Sequence, residues 1–257
     1  MDTAPPPLTL APVLLVTGGS RGIGAAIVQL ACTRGWAVGF SWHRRRDAAD
    51  ALAAELTAAG HRVLAVKADV AIEADVVRLF ETVETQLGPL RALVNNAGML
   101  ERQMAVADMD AARLQRVFAT NVIGSFVCAR EAVRRLSTAR GGPGGAIVNL
   151  SSRAARLGAP HEYVDYAAAK AAIDTLTLGL AKEVAAEDIR VNAVAPGLIE
   201  TEIHADGGEP GRVARLAGGV PMERGGHADE VARAVLWLLS DEASYTTGAV
   251  LDVAGGR

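Results

Sequence analysis

Cysteine is scarce in this chain: only Cys32 and Cys128 occur in 257 residues. Both lie in segments that read as helix, so neither a disulfide framework nor a cysteine metal cluster is available. A reducing compartment, the cytoplasm, is therefore expected. No run approaches the ~18 uninterrupted apolar residues of a membrane span. Positive charge is not in excess either. With a net charge of −3, nothing draws the chain to nucleic acid or to an anionic membrane, and neither is expected as a partner. The opening MDTAPPPLTLAP lacks the basic start of a signal peptide and reads as an extension over residues 1–12. Internal repeats and low-complexity tracts are absent.

What is present suits one α/β domain over residues 13–257. Half the residues are hydrophobic, and 27 glycines supply many short turns. Seven apolar runs begin at Val13, Ala37, Arg62, Arg91, Ala146, Arg190 and Ala249. Helical patterns separate them near residues 22–34, 47–59, 73–86, 110–137, 163–186 and 228–240. Strands that are apolar on both faces and alternate with helices predict a doubly wound, Rossmann-type parallel sheet of seven strands with helices on both faces. One long irregular stretch, Leu198 to Gly226, is too long for a plain connection and reads as a lid.

The stretch VLLVTGGSRGIGAAIVQLACTRG is a strand, a glycine turn and a helix. Gly18, Gly22 and Gly24 permit a sharp turn, a close approach to a pyrophosphate, and tight packing of helix on strand. The alternative is a merely structural turn. Acid is missing where an NAD site would need it, because the second strand runs out through Ser41, Trp42, His43 and Arg44. Asp47 and Asp50 fall in the next helix. Arg44, Arg45 and Arg21 offer positive charge to a 2′-phosphate instead, which points to NADP(H) as cofactor. The competing reading is a basic strand end facing solvent.

Tyr166 and Lys170 stand four residues apart in an alanine-rich helix, EYVDYAAAKAAIDTL, and so share one face. On its own the pair reads as packing beside a solvated lysine. A tyrosine of pKa ≈ 10 is a weak acid at neutral pH. An ammonium one turn away, with a cationic oxidised nicotinamide, is expected to lower that value.

The TGxxxGxG spacing from Thr17 to Gly24, with NNAG at 95–98 and the Tyr166/Lys170 pair, resembles the short-chain dehydrogenase/reductase family. The resemblance runs from Val13 to Gly256. It implies that Tyr166 is the general acid and base and that Ser152, preferred over Ser151, holds the substrate oxygen. It also implies that Lys170 holds the nicotinamide ribose and that Asn121 binds a water linking Lys170 to solvent. The implied cofactor contacts are Gly18, Ser20, Arg21, Gly22, Ile23 and Gly24 in the glycine loop. Asp69 with the backbone of Val70 lies at the adenine, and Asn96, Ala97 and Gly98 follow the fourth strand. Pro196, Gly197, Ile199 and Thr201 follow the sixth.

The function so implied is NADP-dependent hydride transfer between the nicotinamide and a small ketone or secondary alcohol. Within the family, 3-oxoacyl-carrier-protein reductases and sugar- or small-ketone-acting members both look similar. The former would want basic groups at the entrance, with Arg134, Arg135 and Lys182 as candidates. A catalytically silent NADP-binding regulator is the reading from another class. Met99, Leu157, Tyr163 and His204 are candidate pocket residues. A homotetramer is implied, with helices 110–137 and 163–186 pairing across subunits.

Overall fold

A computed structural model describes residues 11–257, so all but the last two residues of the expected extension lie outside the described residues. The seven predicted runs form strands β1 (Val13–Val16), β2 (Ala37–Trp42), β3 (Val63–Lys67), β4 (Leu90–Asn95), β5 (Gly145–Leu150), β6 (Ile189–Pro196) and β7 (Val250–Val253). They pair in parallel in the order β3-β2-β1-β4-β5-β6-β7. The order reverses between β1 and β4, which opens a crevice at the carboxyl ends of those strands.

Alternation along each strand builds two cores, one on each face of the sheet. Leu14 and Val16 join Val38, Phe40 and Val148 on one face, covered by α1 (Gly22–Thr33), α2 (Arg46–Ala58) and a C-terminal helix over Ala228–Leu239. Val13 and Leu15 join Leu93, Ile147 and Val191 on the other, under α3 (Glu73–Leu87). Each fully buried Val, Leu or Ile contributes about 1.5–3 kcal/mol of transfer free energy. Cys32 and Cys128 are buried in these cores, and burial raises both thiols well above their usual range.

The helix expected over 110–137 is not uniform. It divides into α4 (Ala111–Phe118) and α5 (Gly124–Leu136), joined by a π-helical turn over Ala119–Ile123. The extra residue in this turn falls around Asn121, which is fully buried. Its Nδ2 donates to the carbonyls of Val117 (2.9 Å) and Met99 (3.1 Å), and its Oδ1 accepts from Met99 N (3.1 Å). An asparagine that ties the helix to a neighbouring loop, in place of an apolar contact, accounts for the local widening.

Chain order continues through the short α6 (Ala154–Leu157) and the long α7 (Val164–Val184). The stretch expected as an irregular lid carries two short helices, α8 (Ile203–Asp206) and α9 (Arg212–Leu216), before α10 (Ala228–Leu239).

Candidate active site

The carboxyl edge of the sheet lines one cavity of about 1390 Å³ that collects every predicted site residue except Asn121. Asn121 sits immediately behind its wall: a Cβ added to Gly98 would lie 2.9 Å from Asn121 Oδ1 and 3.5 Å from Lys170 Nζ. Gly98 therefore has to be glycine for the two polar groups to meet there.

The glycine loop is held from both neighbouring strands. Asn96 Nδ2 donates to the carbonyls of Thr17 and Gly18, both at 2.9 Å, and Thr17 Oγ1 accepts from Asn96 N and Ala97 N, both at 3.0 Å. Gly18 adopts φ +65°, a left-handed conformation that favours glycine, and its N–H donates to Ser41 Oγ at 2.9 Å. Ser41, at the end of β2, is thus committed to the loop. The first turn of α1 has neither a side-chain cap nor an acid, so its free N–H groups and positive dipole end are left for a ligand. A Cβ on Gly18 would stand 3.0 Å from Ala97 Cα, in a cradle shaped for close backbone approach. These residues fit a dinucleotide pyrophosphate.

The three arginines expected at a 2′-phosphate are not equivalent. Arg45 pairs with Asp47 at 2.9 Å, and Arg21 pairs with Asp206 of the lid. Among the described residues Arg44 has no acid partner, and it is exposed at the end of β2. Asp69 is a turn residue as well as a cavity residue. Its Oδ1 accepts from Ala71 N at 3.0 Å, and Oδ2 lies 3.6 Å from His43 Nε2.

At the other end, Ser152 and Tyr166 line the cavity together, with Ser152 acting to lower the Tyr166 phenol, and Ser152 Oγ accepts from Ala154 N at 3.1 Å. Ser151 is buried, and its Oγ donates to the carbonyl of Lys170 at 3.3 Å. Both serines border the cavity, but Ser151 is buried with its hydroxyl given to a backbone carbonyl, whereas Ser152 is partly exposed. Lys170 is also buried. Its Nζ donates to Leu150 O at 2.7 Å and stands 5.5 Å from the centroid of the Tyr166 ring.

The electrostatics correct one expectation. The Tyr166 phenol is not lowered: the protein packed around its hydroxyl pushes it up to about 12, against a smaller opposing effect of Ser152. Burial likewise brings Lys170 down to about 8, with Asp174 one turn further along α7 partly offsetting it. Taking each charged form out of water costs more than the neighbouring groups return.

Several contributors had no sequence signal, because each depends on partners far apart in the chain. Arg113 and Asp165 form a buried pair, Nε to Oδ2 2.7 Å, and Asp165 Oδ1 also accepts from Tyr166 N at 2.9 Å. This pair fixes the start of α7 against α4. Glu162 and Glu209 clamp the lid through Arg212 and Arg215, and Gln103 donates to Glu209 at 2.6 Å. Met99, Leu157, Tyr163 and His204 all line the cavity. Tyr163 donates to Gly207 O at 3.2 Å, and His204 Nε2 lies 2.9 Å from Ile199 O.

The groups considered for a carrier-protein entrance lie elsewhere. Arg134 and Arg135 are in the last turn of α5 and Lys182 is in the last turn of α7, at the amino edge of the sheet. Arg134 pairs with Glu131 at 2.8 Å, and Arg135 pairs with Glu131 at 2.6 Å and with Glu84 at 2.7 Å. Among the described residues, no helix is long and apolar enough to cross a membrane, and no three His, Cys, Asp or Glu side chains gather as a metal site.

A family profile described as enoyl-(acyl carrier protein) reductase matches residues 18–257. The uncharacterized oxidoreductase YgfF of Escherichia coli (strain K12) is 54% identical, covering 95% of this chain and 99% of that protein. The cis-4-hydroxycyclohexanecarboxylate dehydrogenase of Sinomonas cyclohexanicum is 40% identical, with 95% of each chain covered. Among solved structures, a blue fluorescent protein from a metagenomic library, in complex with NADPH, superposes with a TM-score of 0.85 at 34% identity, covering 95% of this chain and 97% of that one.

Proposed function

The chain belongs to the short-chain dehydrogenase/reductase family, and from that premise we propose that it is an NADP-dependent oxidoreductase interconverting a ketone and a secondary alcohol. One observation carries the reading: the Tyr166 phenol, with Ser152 on the same cavity wall and flanked by the Lys170 ammonium, shares the cavity of the glycine loop. When bound, the nicotinamide supplies or accepts the hydride.

The chain's own residues handle the proton and the positioning. Ser152 donates to the carbonyl oxygen and holds it beside Tyr166. Tyr166 gives its proton to that oxygen as negative charge develops, and takes it back in the oxidative direction. Lys170 favours the phenolate that results and binds the ribose hydroxyls. Asn121, with the carbonyls of the widened π turn, orders the water through which Lys170 exchanges protons with solvent. Absorbance of NADPH in the presence of a ketone panel tests the proposal. A silent NADP-binding regulator would bind the cofactor and leave that absorbance constant.

NADP is preferred on the strength of Arg44, since Arg45 and Arg21 already hold carboxylates. A charge-assisted contact with the 2′-phosphate, discounted for exposure, is worth about tenfold in kcat/KM. Arg44→Asp is expected to reverse the preference toward NADH, because attraction becomes repulsion. Equal kcat/KM for NADH and NADPH in the unaltered enzyme would reject the assignment.

The carrier-protein alternative finds less support, since Arg134, Arg135 and Lys182 lie at the edge of the sheet away from the cavity. The Sinomonas relative, named for a hydroxylated ring compound, favours a free small molecule. A homotetramer is supported by exposed apolar residues on the paired helices: Leu114, Ile123, Phe126 and Leu178. Light scattering at micromolar concentration should then give four times the chain mass, and a monomeric mass would exclude it.

A further inference from the structure

At the substrate end of the cavity, apart from the catalytic Lys170, the arginines are paired with acids, with one exception. Glu101 holds Arg116, Asp165 holds Arg113, and Glu162 and Glu209 hold Arg212 and Arg215. Arg102, on the loop after β4, lines the same cavity, yet among the described residues its guanidinium has no carboxylate partner. Its position is not left to chance. Buried Arg113 donates from Nη1 to the Arg102 carbonyl at 2.7 Å, and the Arg102 stem reaches across to the lid, its Cγ 3.5 Å from where a Cβ on Gly208 would stand. The Arg102 backbone is held by Arg113, its stem lies beside the lid, and the residue is exposed, with its charged head unpaired among the described residues.

The surroundings narrow what completes it. Met99, Met104, Leu157 and Tyr163 line this end with largely apolar surface. His204 adds no second cation, because burial holds its ring below the usual histidine range and its Nε2 is engaged by Ile199 O. Two other cavity arginines lack an acid partner, but they stand elsewhere. Arg44 ends β2, and Arg257 lies beyond β7, its carbonyl held by Arg153 Nε at 2.7 Å. Beyond Lys170, which the proton transfer already uses, one exposed positive charge bordering this end of the cavity matches an apolar molecule with a single negative charge. A phosphate dianion would call for further donors.

Resting on the carbonyl-reductase reading above, we infer that Arg102 determines specificity and that the substrate is an oxo acid or hydroxy acid, with an apolar body and a carboxylate remote from the reacting carbon. The carboxylate bonds to the Arg102 guanidinium while the carbonyl sits between Ser152 and Tyr166.

A series of oxo acids of increasing chain length, each assayed beside its methyl ester with NADPH, tests this. At the best length the acid is expected to exceed its ester about tenfold in kcat/KM, and the advantage should shrink with ionic strength. Arg102→Met should remove most of that ratio, chiefly through KM, and Arg102→Lys should retain part of it. Esters reduced as well as acids at every length, or a ratio unchanged in Arg102→Met, would overturn the inference while leaving the reductase reading intact. Keto-phosphates preferred to every oxo acid would overturn the carboxylate assignment. No NADPH oxidation with any acid, ester or phosphate would overturn both readings together.

Discussion

Replacing Tyr166 by phenylalanine is expected to lower kcat by about 10²–10⁴-fold, the usual range for removing a general acid, while NADPH binding is retained. The ring keeps its packing and loses only the hydroxyl, which shares the cavity with Ser152. The depth of the loss follows from the surroundings. A phenol pushed up to about 12 by burial is protonated throughout the physiological range, so the proton is always available in the reductive direction. Stopped-flow measurement of hydride transfer, with fluorescence titration of NADPH, separates chemistry from binding. A variant that kept most of its kcat would remove Tyr166 from the proton-transfer role.

Lys170→Ala is expected to damage both steps. Losing the ammonium removes a charge-assisted donor to the ribose, raising the Kd for NADPH about tenfold to a hundredfold, and removes the group that favours the phenolate. kcat should fall by about 10²–10³-fold. Lys170→Met, which keeps the apolar stem, guards against misreading a packing defect. The pH dependence gives a second signature. Burial brings Lys170 down to about 8, so it is an ammonium below that pH and a neutral amine above it. NADPH affinity in the unaltered protein should therefore weaken as pH rises through about 8, and the Lys170→Met variant should lack that step. Affinity in Lys170→Ala equal to the unaltered protein would show that the ribose contact is not made.

Much of this site was legible in the chain because its signals are local. Glycines at fixed offsets after a strand, NNAG at the end of another, and a tyrosine four residues before a lysine each need only a few neighbouring residues to have meaning. What escaped was set by partners far apart in sequence. The missing acid at the end of β2 was readable. That Arg21 would already be paired was not, because Asp206 lies 185 residues from it, whereas Arg45 pairs with Asp47 only two residues on. The downward tuning of Tyr166 was expected from the Lys170 ammonium together with a cationic nicotinamide, whereas the protein packed around its hydroxyl acts the other way. The helix over 110–137 showed the right period, but period does not reveal the single extra residue that Asn121 accommodates.

By itself the sequence determined the seven-stranded α/β architecture, the glycine loop and the Tyr166/Lys170 pair, because hydrophobic period and short-range turn chemistry act within one element at a time. Only the tertiary structure decided which serine gives its hydroxyl to a backbone carbonyl, that Arg21 is paired with the lid, and that Lys170 is buried. Those outcomes depend on burial and on charge pairs between segments that meet only when the sheet assembles, and the energy of a charge is set by whatever surrounds it.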